Sequence, residues 1–489
     1  MSADQDAGAD TPSQDPARQT GTGVSPEAAT GGRPEGLPDY RALSFWHDSL
    51  GDGALAPRAP LPGDADADVA IVGGGLTGLW TAWYLLRHEP RLRVVVLEKQ
   101  IAGFGASGRN GGWCSALFPR STASLERAHG RDAALAMRRA MIETVDEVGR
   151  AASEAGVDAD YVKGGTVAYA RSAVQLAAAR AELAEAGGFG VDRIELWGAH
   201  RARAAGALGA VFDPACARVH PAKLVRGLAT AVERAGATIA EQTEVLEWGP
   251  GRVTTSHGTV TADRVVIATE GYGATFRATH RRVLPLYSLM IATEPLPDSF
   301  WNEVGLAHGQ TFTDFRHLLI YGQRTADNRF AFGGRGARYH WGSAIRPGYD
   351  RDPRVFEHLR RALIELFPAV AEAEITHRWG GPLGVPRDWH ASASYDPSTR
   401  IATAGGYVGD GLSTTNLAGR TLADLLTGAD TELTRLPWVN HRSPDWEPEP
   451  LRFLGSNAGM LAMSAADAEE RVTGRPSIAA RVMGPLVGH

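Results

Sequence analysis

The sequence predicts an α/β chain, α+β overall, in which a domain built on a parallel sheet is interleaved with a second built on an antiparallel sheet. Three observations carry that assignment. Residues 68–72 (DVAIV) and 93–97 (RVVVL) are short β-branched runs on either side of a helical stretch at 76–87, a β-α-β pattern. Residues 222–235 read as a helix ended by Gly236, followed by strand-like stretches at 238–248, 252–256 and 264–268, a second α/β block. Residues 276–377 change to aromatic-rich, strand-like pieces such as LPLYSLMIATEPLP and HLLIYGQR, followed by a helix near 354–367. That pattern suits an antiparallel sheet with a covering helix.

In chain order, residues 1–40 are rich in Ala, Gly, Pro, Ser, Thr and Asp, with almost no large apolar side chains, and are expected to be a disordered tail. Residues 41–65 are a short amphipathic segment (ALSFWHDSL) and a Pro/Gly linker. The first domain is expected at 66–130, 205–275 and 378–430, the second at 131–204 and 276–377, and a C-terminal extension at 431–489.

Composition narrows the function classes. Gly (58) and Pro (28) make up about 18% of the 489 residues, below the roughly 25–30% of low-complexity chains. A formal net charge of −6 offers no global basic field for nucleic acid. Cys114 and Cys216 are the only cysteines and no Cys/His spacing suits zinc, so no disulfide scaffold and no metal are expected, and a cytoplasmic location fits. The start MSADQDAGAD lacks the apolar stretch of a signal peptide, and no run of about 18 apolar residues offers a membrane span.

The strongest chemical signal is Gly73-Gly74-Gly75-Leu76-Thr77-Gly78, a G-x-G-x-x-G between strand and helix. Its glycines serve a tight turn, close backbone approach to a pyrophosphate, and helix-on-strand packing, in a Rossmann-like unit. The phosphate would sit at the helix N-terminus. Glu98, with Lys99 after it, follows Gly78 by 20 residues, the spacing expected of the acid that holds a ribose hydroxyl. Such an acid favours a free 2′-hydroxyl, hence NAD or FAD over NADP. The segment 103–112 then has five glycines in ten residues, interspersed with Ser107, Arg109 and Asn110. Its backbone N–H groups and Arg109 suit phosphate.

Four segments, in order, resemble the FAD-dependent oxidoreductases of the D-amino-acid oxidase/glycine oxidase superfamily, and within it the branch similar to γ-glutamylputrescine oxidase. They are GGGLTG with Glu98, GASGRNGG at 105–112, VVIATEG at 265–271, and AGGYVGDGLSTTN at 404–416. The resemblance spans about 66–426. It implies FAD, held by Gly73, Gly75, Leu76, Thr77, Gly78, Glu98 and Lys99, by Gly105, Ala106, Ser107, Arg109, Asn110, Gly111 and Gly112, by Ala268 and Gly271, and by Gly406, Gly409 and Gly411. It also implies that the main chain of Val245 meets the adenine and that of Leu412, Ser413 and Thr414 the flavin edge. The residues of 405–426 agree, because another glycine loop there feeds a helix whose N–H groups suit the negative charge of a reduced ring. Some relatives attach flavin through a His in the first loop or a Cys near the last. Arg109 and no cysteine stand there, so the FAD is expected to be noncovalent.

Relatives that oxidise α-amino acids carry an arginine in a G-x-R-P segment to grip the carboxylate. Here the segment reads Trp379-Gly380-Gly381-Pro382, which demotes simple amino acids. Arg324, Arg335 or Arg338 remain as substitutes. Sarcosine-oxidase-like relatives also use a lysine toward oxygen, and the nearest segment, 318–324, has none. Pocket candidates are Tyr321, Arg335, Trp341, Trp379, Trp389 and His390. Aromatic walls suit an amine, and Tyr321 or His390 would help remove its proton; each alone also suits an ordinary core or surface role. The expected activity is oxidation of a C–N bond of a primary or secondary amine to an imine that then hydrolyses, with oxygen as electron acceptor. A dehydrogenase using another acceptor, or an inactive flavoprotein acting as a binding subunit, are the alternatives. Expected partners are a small-molecule amine and that acceptor, with the oligomeric state left open.

Overall fold

Alternate residues of the first strand serve two different cores. In Ala65–Val72, Val69 and Ile71 join one apolar cluster while Ala70 and Val72 join another. A strand buried on both faces reads as a continuous apolar run, which is why DVAIV and VVVL carry no polar alternation. The computed structural model describes residues 38–483 apart from residue 192. The expected tail lies outside the described residues except at 38–40, where Tyr40 is buried and its hydroxyl donates to Gln100 Oε1 at 3.0 Å.

Among the described residues, eight strands form the first sheet. Its main path runs Ser392–Asp396, Ile401–Gly405, Gly258–Ile267, Ala65–Val72, Val94–Leu97, Thr238–Ala240, with the last five strands parallel and in register at Val69↔Val94 and Ile71↔Val266. Helices Leu76–His88, Pro221–Arg234 and Gly411–Thr427 cover one face. The hairpin Val245–Gly249/Arg252–Thr255 pairs off Gly258–Ile267 and helps cover the other. The stretch expected as one strand over 238–248 is broken at Gln242, whose φ is +55°.

The second sheet has eight described strands in the order Ile375–Val385, Leu284–Thr293, Phe330–Gly334, Ile320–Arg324, Thr311–Asp314, Thr166–Ala170, Gly209–Asp213, Glu195–Gly198. It is antiparallel except where Thr311–Asp314 runs parallel to Thr166–Ala170. All ten residues of Leu284–Thr293 are buried, between two neighbours in the sheet and under the helix Pro353–Leu366.

The structure moves several of the expected boundaries. The helix Arg131–Glu154, assigned to the second domain, buries Met137, Met141, Val145 and Val148 in the core of the first sheet, because its apolar stripe packs on the helix Gly411–Thr427. Residues 209–213 and 378–385, assigned to the first domain, are strands of the second sheet, since their backbones complete its ladders. From Tyr40 onward the two sheets share one compact unit. The 41–65 segment is integral to it: Phe45, Trp46 and Leu50 are buried with Met290 and Trp379, and Trp46 Nε1 donates to the carbonyl of Asn110 at 2.8 Å. The extension contributes Leu436 and Trp438 to the first core and then forms a long helix, Leu451–Thr473. No described helix is long and apolar enough to cross a membrane.

Candidate active site

At the C-terminal ends of the parallel strands, where open α/β sheets bind ligands, Val72, Leu97 and Ala268 open onto a cavity of about 1420 Å³. That exceeds the roughly 300–1,000 Å³ of a single-ligand pocket. The second sheet supplies the opposite wall through Leu286, Ser288, Tyr321, Gly381 and Leu383.

Gly73, Gly75, Leu76 and Thr77 line the cavity as the sequence implies, while Gly78 lies beneath it. A Cβ at Gly78 would stand 2.2 Å from the Gly73 carbonyl oxygen, so this glycine permits the helix to seat on the strand. Gly73 has φ +111°, which only glycine adopts readily. Glu98 closes the turn: its Oε2 accepts from Gly74 N at 2.8 Å and its Oε1 from Gln100 N at 2.9 Å. Burial pushes this carboxyl up to about 7 against those two bonds. Lys99 lines the cavity with its Nζ 2.6 Å from Glu244, beside Val245.

Gly105, Ala106, Ser107, Arg109, Asn110 and Gly111 also line it. Ser107 Oγ accepts from Leu76 N at 2.8 Å, tying this loop to the helix N-terminus. Gly112 stands outside, where a Cβ would lie 2.1 Å from the Val219 carbonyl oxygen. Arg109 is not directed to the glycine turn. Its guanidinium donates to Asp350 Oδ2 and the Gly380 carbonyl, each at 3.1 Å, and to the Tyr272 hydroxyl at 3.0 Å. The expectation that Arg109 pairs with phosphate is therefore corrected: a carboxylate and a carbonyl of the second sheet's strands and loops already hold it.

Near the last loop, Gly409, Gly411 and Leu412 line the cavity; Gly271 and Gly406 do not, packing against Leu383 and Pro386. Ser413 and Thr414 are buried, with hydroxyls donating to the Ser115 and Asp410 carbonyls. Two helix N-termini, at Leu76 and Gly411, thus open on one cavity together with Glu98. The glycine turns leave the space a side chain would fill, since a Cβ at Gly75 would come within 2.9 Å of Ser107 Oγ. The residues present fit FAD.

The catalytic candidates divide. Tyr321 and Arg335 line the cavity. The Tyr321 hydroxyl is 2.7 Å from Ser288 Oγ and its ring stacks on Trp113, and burial pushes its pKa up. Arg335 donates to the Val408 carbonyl at 2.7 Å and lies over the Trp389 ring. Trp379 and His390 are corrections. Trp379 is 1% exposed and lies behind the wall, donating to the Arg109 carbonyl, because its side of the strand faces the core. His390 is buried outside the cavity against His441, its Nδ1 2.7 Å from the Ala391 carbonyl oxygen, and burial lowers it to about 4. Trp341 is on the surface, Arg338 is exposed, and Arg324 is held by Asn328 over Trp301.

Two acids escaped the sequence reading. Asp410, immediately before the helix Gly411–Thr427, lines the cavity near Arg335, and burial pushes it up to about 6. Glu270 accepts from Tyr407 N at 3.0 Å and is pushed by burial to about 7. Both titrate near neutrality, the range useful for proton transfer. Glu270 follows the C-terminal end of a parallel strand, a position that signals function in such sheets. The chain has three lysines, and Lys99 alone of them lines the cavity. Cys114 and Cys216 are free and buried away from it.

Comparison with known proteins agrees with this geometry. Residues 68–425 match the DAO family model, described as FAD dependent oxidoreductase. The chain is 32% identical over 402 residues to the probable oxidoreductase OrdL of Rhizobium meliloti (strain 1021), covering 78% of this chain and 89% of that one. It is 32% identical over 388 residues to the gamma-glutamylputrescine oxidoreductase of Escherichia coli (strain K12), covering 76% and 86%. Glycine oxidase from Geobacillus kaustophilus shares the fold, with a TM-score of 0.66 at 22% identity over 77% of this chain and 99% of that one. The chain belongs to the DAO family of FAD-dependent oxidoreductases.

Proposed function

We propose that the protein oxidises a C–N bond of a primary or secondary amine lacking an α-carboxylate to an imine, which water then hydrolyses. One observation carries the reading. At Gly381 the strand offers no side chain, and the guanidinium nearest that position, Arg109, is already neutralised by Asp350. An α-carboxylate docked there would meet no free cation, and burying an unpaired charge is costly. The similarity to gamma-glutamylputrescine oxidoreductase supports an amine.

Bound FAD supplies the two-electron acceptor. The residues around it bind and orient the substrate. Asp410 would accept a proton from the substrate ammonium and so hold the substrate as the neutral amine. Trp389 and Tyr321 wall the site against water, with the Tyr321 hydroxyl held by Ser288. Oxygen is the proposed final acceptor. The test is steady-state turnover of an amine panel, following oxygen uptake and aldehyde together. Stoichiometric appearance of both supports the reading; aldehyde formed only with an added dye acceptor makes the protein a dehydrogenase.

A second reading, oxidation of an α-amino acid, rests on Arg335. Of the three substitute arginines it alone lines the cavity, and it forms no ion pair within 4 Å among the described residues.

A further inference from the structure

The cavity extends past the family-matched segment, which ends at residue 425, to a wall made by the C-terminal helix Leu451–Thr473. Gly455, Ser456, Gly459, Met460 and Met463 line it at spacings of three and four, the period of one helix face. Leu318, Leu319 and Ile345 line it from the second sheet's loops. The helix is fixed in place: Asp467 accepts from the backbone N–H groups of His317 and Leu318 at 2.7 and 3.0 Å, and Asn457 exchanges hydrogen bonds with the backbone of Tyr339.

Three features of this end define what it would hold. Every arginine lining it there already has a carboxylate: Arg316 with Asp314, Arg387 with Glu447, and Arg452 with Glu449; the His317 Nε2 lies 2.9 Å from Glu470 Oε1. Gly455 sits in a helix interior at a cost of about 1 kcal/mol relative to alanine, yet a Cβ there would meet nothing within 4 Å among the described residues. Ser456 Oγ is buried in the wall without a hydrogen-bond partner among the described residues. Among the described residues the space is therefore open, without an unpaired arginine at this end, lined largely by Gly, Leu, Ile and Met, and part of the same cavity as Tyr321 and Arg335.

We propose that the C-terminal helix forms an outer chamber for an elongated, uncharged, largely apolar substituent, so that the substrate is an amine carrying such a chain and not a compact one. This inference rests on the amine reading above, and the experiment separates the two. FAD-loaded full-length protein is titrated by calorimetry with 1-butanol, 1-hexanol and 1-octanol, and its flavin is reduced anaerobically with n-butylamine and n-octylamine. Binding is expected to tighten roughly threefold to fourfold per added methylene, and the octylamine Kd from the reduction amplitudes to fall in parallel. In Gly455→Phe the octyl-to-butyl ratio of Kd collapses toward one, while Gly455→Ala retains most of it; flavin content and thermal unfolding report that both fold. Length-independent binding in the wild type, or a Gly455→Phe effect equal for both lengths, overturns the chamber. Length-dependent alcohol binding with no flavin reduction by either amine upholds the chamber and overturns the amine reading.

Discussion

The guanidinium of Arg109 fills the space beside Gly381: a Cβ on Gly381 would stand 3.5 Å from Arg109 Cζ and 3.6 Å from its Nε. A methyl group fits there, but any longer side chain meets a buried cation. The loss of a side chain on the strand and the presence of arginine in the first glycine loop are thus one arrangement, closed by the Arg109–Asp350 pair at 3.1 Å.

Arg109→Met removes the donor to Asp350 and to the Gly380 carbonyl, and is expected to cost about 1.5–3 kcal/mol of stability. Gly381→Arg alone sets two guanidinium groups against each other and is also destabilising. In the double variant the new arginine takes over Asp350, so the two effects are expected to fall short of their sum by at least about 0.5 kcal/mol. Urea unfolding of the four proteins measures the coupling; additive losses would show that the two positions do not share the space.

Gly75→Val places a branched side chain where a Cβ already comes within 2.9 Å of Ser107 Oγ. Ser107 is displaced from Leu76 N, and the turn loses the backbone approach that a pyrophosphate needs. The purified variant is expected to contain little FAD. A full complement, measured by absorbance after acid release, would contradict the assignment of this turn. Release of all wild-type flavin by acid tests the noncovalent attachment.

Glu270 gives a pH signature. Its carboxyl is raised from 4.5 to about 7 in the fold, mainly by burial. A raised carboxyl stabilises fully below its unfolded pKa, and that contribution is lost as pH rises through the folded value. Glu270→Gln is therefore expected to gain in thermal stability relative to wild type between pH 4.5 and 7. A difference in Tm that stays constant across that window would contradict the shift.

Asp410→Asn tests the proton acceptor. In the wild type, the rate of flavin reduction by an amine is expected to rise with pH through about 6, following Asp410. In the variant, the limb moves up toward the amine's own pKa and the rate below it falls by about 10²-fold or more. An unchanged pH profile would remove Asp410 from that role.

Much of the fold was legible because its signals are local. The run DVAIV, the GGGLTG turn and Glu98 lie within about thirty residues, and their geometry follows from backbone rules that glycine and β-branching impose. The partners of Arg109 were not legible. Asp350 is 241 residues away, and nothing in either segment announces the pairing. Trp379 and His390 have the chemistry of pocket residues, yet their side chains turn away from the cavity, which composition does not reveal. Asp410 and Tyr321 meet the same cavity only because the two sheets face one another across it.

The central claim is that the substrate is an amine without an α-carboxylate. Its most direct test is the anaerobic rate of flavin reduction by matched pairs, each an amine and the α-amino acid with the same side chain, read as loss of oxidised-flavin absorbance. The amine of each pair is expected to reduce the flavin faster. Consistently faster reduction by the amino acids, abolished in Arg335→Met, would contradict the claim and make Arg335 the carboxylate clamp.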